Sequence, residues 1–82
     1  MGFTETEIET LVSEKIFTLT HKRISGADEE LIESGILTSI TIAELAIELE
    51  SMFSISVSFI EVSKENFSSV KAIKKYILKK FV

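Results

Sequence analysis

Apolar residues recur along the chain at helical spacing, and strict alternation is confined to one short stretch. Thr4-Glu5-Thr6-Glu7 has the form of a capping box, and Ile8, Leu11, Val12, Ile16 and Leu19 follow on one face, which predicts a first helix over about 5–19. His21-Lys22-Arg23 supplies cations where a helix C-terminus favours them, and His21 reads as a solvated helix-end residue. Residues 20–38 then lose the periodicity and form a long acidic loop, pinned to the core by Leu31, Ile32, Ile36 and Leu37, with Gly35 where the backbone needs a positive φ. A second helix is predicted over about 39–53, where Ile42, Leu45, Ala46, Leu49 and Phe53 share one face and Thr41 and Glu44 have capping-box spacing. Ile55-Ser56-Val57-Ser58 alternates too briefly for a strand and reads as an extended connector. A short third helix is expected over about 58–64. A last helix over about 69–81, capped from Asn66-Phe67-Ser68-Ser69, carries Val70, Ile73, Ile77 and Phe81 on its inner face. The pattern therefore predicts an all-α fold, a small four-helix bundle of three long helices and one short one, forming a single domain over 1–82.

Length and composition narrow what such a bundle can do. A chain of 82 residues builds one modest core and no deep catalytic cleft. With no cysteine and one histidine, it has neither a disulfide framework nor the ligand set of a zinc site, so no metal is expected. Mean hydropathy is +0.31, but charges interrupt every apolar run before it could span a bilayer, so no membrane insertion is expected. Lacking a basic segment followed by an apolar one, the N-terminal region does not read as a secretory signal, and a cytoplasmic location is the expectation. Met1-Gly2-Phe3-Thr4-Glu5-Thr6 fits the loose myristoylation pattern, yet Glu5, Glu7 and Glu9 give no second, basic membrane signal.

The net charge of −4 argues against a sequence-independent nucleic-acid binder, which must neutralise phosphates. That small total hides a polarised chain. Residues 28–50 hold seven carboxylates and no Lys, Arg or His, whereas residues 70–82 hold five lysines and no acid. On a helix starting at Ser39, positions 40, 43, 44, 47 and 48 share one side, which places Ile40, Ala43 and Ile47 between Glu44 and Glu48. An apolar stripe rimmed by carboxylates suits docking of basic partners.

At the head of this helix the segment Gly35-Ile36-Leu37-Thr38-Ser39-Ile40 resembles the signature of the phosphopantetheine-dependent carrier proteins, the acyl, peptidyl and D-alanyl carriers. Glu44-Leu45, Leu49-Glu50 and Phe53-x-Ile55-x-Val57 continue the likeness, which runs from about Asp28 to Ile77 without a gap. Two positions depart from the family pattern: Thr38 stands where aspartate usually precedes the serine, and Ser58 where proline commonly follows the aromatic motif. The resemblance implies 4'-phosphopantetheine attached covalently to Ser39 by a phosphopantetheinyl transferase. It also implies acyl or aminoacyl groups held as thioesters, no catalytic residue of the chain's own, and ligases and synthases docking through basic patches on Thr38, Ile40, Ala43, Glu44, Ile47 and Glu48. A monomer is expected. Asn66-Phe67-Ser68-Ser69 and its spacing from Phe53 look more like the D-alanyl carriers, which are charged by an adenylating ligase.

The residues themselves support such an attachment. The first turn of a helix offers unpaired N–H groups and a positive field to a phosphodiester on Ser39. Two other readings stand beside it: Ser39 as a simple helix cap, and the whole chain as an unmodified helical protein-interaction module. Phe53 and Phe59 are the side chains expected to fill the interior where some carriers shelter a long chain.

Overall fold

Rows of apolar side chains from three long helices close the core. In the computed structural model, which describes residues 2–81, these helices are α1 (Glu5–Thr20), α2 (Ser39–Phe53) and α4 (Val70–Lys80), with a single-turn α3 (Lys64–Phe67) before the last. Met1 and Val82, the ends of the domain expected over 1–82, lie outside the described residues, and with Met1 lies the start of the myristoylation pattern. Ile8, Val12 and Ile16 of α1 meet Leu45, Leu49 and Phe53 of α2 and Val70, Ile73 and Ile77 of α4, all buried. α1 packs against both α2 and α4, and α3 against α4. Every one of these elements is helical, and no strand occurs among the described residues. Each fully buried Leu or Ile contributes about 1.5–3 kcal/mol through removal of apolar surface from water.

Local chemistry sets the helix ends. Thr4 and Glu7 form the expected box, Thr4 Oγ1 accepting the Glu7 N–H at 3.1 Å and Glu7 accepting the Thr4 N–H at 2.8 Å. His21 ends α1 in the left-handed region, φ 60°, and is exposed. α2 has the span its periodicity predicts, but its box is one turn earlier than Thr41 and Glu44. Thr38 is the N-cap, its Oγ1 accepting the Thr41 N–H at 3.2 Å while Thr41 Oγ1 accepts the Thr38 N–H at 2.7 Å. A threonine at N3 thus takes the part that Glu or Gln usually plays, because the hydroxyl reaches back the same short distance.

The 20–38 loop is tied down as its anchors require. Leu31 and Leu37 are buried, Ile32 and Ile36 pack partly against the core, and the Leu37 N–H donates to the Leu31 carbonyl at 2.8 Å. The Leu31 N–H donates to Ser68 O at 2.7 Å, joining the loop to the start of α4. Glu30 accepts from the Ile32 and Ser34 N–H groups, and Gly35 follows at φ 85°. A Cβ at Gly35 would meet nothing within 4 Å, so glycine answers a backbone requirement there and not a lack of space.

The third helix differs from expectation. In place of one helix over 58–64 there is a 3₁₀ turn at Phe59–Glu61, a break, and then α3 at Lys64–Phe67. Ser58 and Ser63 each start a cap of their own, and two caps five residues apart leave room for only one turn of helix each. Ser58 performs the start that proline commonly provides. Ser69, accepting the Ala72 N–H at 3.0 Å, caps α4. Phe53 is 4% exposed, but Phe59 is 92% exposed and fills no interior space; the short turn swings it outward.

The lysines of α4 do not all face water. Lys74 reaches Glu9 at 2.7 Å and Glu5 at 3.2 Å on α1, and Lys80 reaches Glu61 at 2.8 Å. The two α1 carboxylates, Glu9 foremost, hold the Lys74 ammonium above its ordinary pKa. Two substitutions check this packing. Leu49→Ala should lower unfolding stability by about 2–5 kcal/mol, measured by urea denaturation. Lys74→Glu should lower the Tm by several degrees, because it faces two like charges across the α1–α4 contact, while Lys75→Glu at an exposed position should leave it nearly unchanged.

Candidate functional site

Burial of Leu37 next to the Thr38 cap fixes where α2 begins, and Ser39 becomes its first helical residue. Because Thr38 makes the capping bond, Ser39 is not the cap. Its side chain is exposed, and its Oγ has no hydrogen-bond partner among the described residues. The cap pair satisfies the Thr38 and Thr41 N–H groups, and the first helical bond starts at Ile42 N–H to Thr38 O, 2.8 Å. The N–H groups of Ser39 and Ile40 therefore remain available beside the hydroxyl. A phosphodiester on Oγ would find two donors and the positive end of the helix dipole. The residues present fit a phosphopantetheine arm. Among the described residues no titratable side chain hydrogen-bonds to Ser39, so none of them is set to deprotonate it.

The neighbouring face of α2 is open. Ile40 is 71% and Ile47 65% exposed, and Ala43 and Glu44 are exposed with them. Glu48 is different: Lys15 of α1 pairs with it at 3.2 Å, so part of the expected rim charge is neutralised within the molecule. Thr38, expected among docking positions, is exposed, but its hydroxyl is engaged in the cap.

Beside this face runs a groove of about 450 Å³ that sequence periodicity does not disclose. One wall is the α2 stripe containing Ser39, Ile42, Ala46 and Glu50, and the other comes from the connector and 3₁₀ turn, with Val57 and Phe59. Phe59 is 92% exposed, and its neighbour Ile60 on the same turn is 86% exposed. The signal that could have found them is the spacing Ser58-x-x-Glu61, a box around a single turn.

Glu61 anchors that wall. Its carboxylate accepts from Lys80 Nζ, from the Tyr76 hydroxyl at 2.8 Å and from the Ser58 N–H at 2.9 Å, and its carbonyl accepts from Asn66 Nδ2 at 2.9 Å. The Lys80 bond foremost, then those of Ser58 and Tyr76, lowers the Glu61 pKa to about 2. Burial and the adjacent carboxylate push the Tyr76 phenol up. Elsewhere Glu33, at the loop, is held below the usual carboxylate range by its bond with Lys64 of α3. No group of three or more potential metal ligands occurs among the described residues, and no helix is long and apolar enough to cross a membrane.

The small all-helical bundle is consistent with an acyl-carrier-like fold. Over 46 residues, 56% of its length, the chain is 39% identical to a D-alanyl carrier protein of Streptococcus uberis. The match spans 58% of that relative, and it supports the carrier-protein resemblance read from the signature around Ser39. No protein-family model matches the chain.

A pH experiment tests the Glu61 anchor. Its folded pKa lies below the ordinary carboxylate value of 4.5, so its contribution is fully present above that value and is lost as pH falls from about 4.5 towards 2. Amide protection factors at residues 58–62, taken against the intrinsic exchange rate at each pH, should fall over that window, and in Glu61→Gln they should be low already at neutral pH, with the acid-dependent step absent.

Proposed function

We propose that the protein is a carrier that holds acyl or aminoacyl groups as thioesters on a 4'-phosphopantetheine arm attached to Ser39. The observation that carries this reading is the Ser39 hydroxyl, exposed and without a partner because Thr38 performs the capping. When bound, the arm supplies a terminal thiol able to form a thioester. The chain presents the attachment oxygen, stabilises the ester's negative charge with the α2 N-terminus, and offers the Ile40, Ala43, Glu44 and Ile47 face to partner enzymes. It needs no catalytic residue and is not an enzyme. Tethering converts each meeting of cargo and enzyme into an intramolecular event at high effective concentration. The similarity to a D-alanyl carrier protein favours an aminoacyl cargo, loaded by an adenylating ligase, over a fatty acyl one. Partners are then a phosphopantetheinyl transferase and ligases or acceptor enzymes with basic docking patches, met by a monomeric carrier in the cytoplasm.

Co-expression with a broad-range phosphopantetheinyl transferase should add the mass of one phosphopantetheine group, and Ser39→Ala should abolish the gain completely. An unchanged mass with competent transferases would leave only a non-covalent interaction module. Thr38→Asp should preserve the Tm, since aspartate caps at least as well as threonine, and should speed the labelling by restoring the carboxylate usual in the family.

Charge on the docking face yields a separate prediction. Binding to the cognate ligase should weaken with added salt as screening shortens to about 10 Å at 0.1 M. Glu44→Lys should weaken it several-fold, whereas Lys75→Glu on the opposite helix should change it little. Equal effects from both substitutions would remove the docking assignment.

A further inference from the structure

The groove that starts at Ser39 is apolar for most of its length and ends at a carboxylate. Ser39, Ile42, Ala46 and Glu50 stand at i, i+3, i+7 and i+11, a single stripe of α2, and all four line it. At 1.5 Å per residue, Glu50 lies about 16 Å along the helix axis from Ser39, a span that an extended phosphopantetheine arm covers. Glu50 is half-buried, and its Oε2 accepts the Val57 N–H at 2.8 Å. Of the other half-buried glutamates, Glu9, Glu48 and Glu61 have lysine partners and Glu29 and Glu30 each accept two loop hydrogen bonds; among the described residues the Glu50 carboxylate has no lysine partner and only the Val57 bond. A carboxylate partly withdrawn from water and lacking a counter-ion gains most from a cation brought to it.

We propose that Glu50 is a specificity-determining residue of the carrier site, receiving the ammonium of an aminoacyl group borne on the Ser39 arm. The proposal rests on the carrier reading and deepens it. The occupant is the arm's own cargo, chosen by charge complementarity and by reach along one helical stripe. A short cationic acyl group satisfies the carboxylate at the end of the groove, whereas a neutral one of the same size leaves it unpaired. A long aliphatic chain finds the adjoining end of α2 already closed, since Phe53 packs on Phe3 and Phe81 with ring centroids 4.9 and 6.3 Å apart.

The test uses the full chain with Ser39 loaded by a phosphopantetheinyl transferase with arms ending in stable amides: alanyl, propionyl, or N-acetylalanyl. At about pH 6 the alanyl amine is protonated. The alanyl arm should shift the backbone amide resonances of Glu50 and Val57 beyond the propionyl arm, and N-acetylation should cancel the difference in the wild-type protein. In Glu50→Gln, which keeps an acceptor for the Val57 N–H, the alanyl–propionyl difference should fall to less than half. Equal shifts from the alanyl and propionyl arms, a difference that survives N-acetylation, or one undiminished in Glu50→Gln would overturn the assignment while leaving the carrier reading intact. Failure of any arm to attach, read as an unchanged mass, would overturn both.

Discussion

The site depends on a threonine making the helix cap one residue before the serine. Leu37 is buried, so the chain must enter α2 from the core, and Thr38 then exchanges bonds with Thr41. A capping residue spends its side chain on its own backbone; the residue after it is released. Had Ser39 capped α2, its oxygen would be turned back to the helix and shielded from modification. The one-residue offset keeps the Ser39 hydroxyl out of the cap and leaves the Ser39 and Ile40 N–H groups beside it.

The rest of the fold keeps that helix head in place. Leu31 and Leu37 hold the loop to the core, the Leu31 N–H joins it to Ser68, and Gly35 permits the turn between the two anchors. Lysine–carboxylate pairs then join elements that the apolar core alone would leave free to slide: Lys74 to Glu5 and Glu9, Lys15 to Glu48, Lys80 to Glu61. Exposed pairs of this kind contribute little each, but their placement fixes which surface remains unpaired. Within the acidic segment Asp28, Glu33 and Glu48 have lysine partners, whereas Glu44 and Glu50 have none among the described residues.

Much of the bundle was legible in the sequence because helical periodicity is a local property. The faces of α1, α2 and α4, the Thr4 box, the anchors of the loop and the turn at Gly35 follow from side-chain type and spacing. The third helix is not legible from periodicity, since the apolar residues of 59–62 continue a helical pattern that the caps at Ser58 and Ser63 interrupt. Tyr76 escaped notice for a related reason: its burial depends on Glu61, fifteen residues away, accepting its hydroxyl.

By itself the sequence determined that a serine would stand at the head of an amphipathic helix on an acidic, open face. These features depend on residues within a few turns of one another. Only the tertiary structure decided that Thr38 and not Ser39 caps, and that Glu48 is paired with Lys15 while Glu50 has no lysine partner among the described residues. Each of those outcomes rests on bond directions or on groups from another element, and no spacing rule along a single segment contains that information.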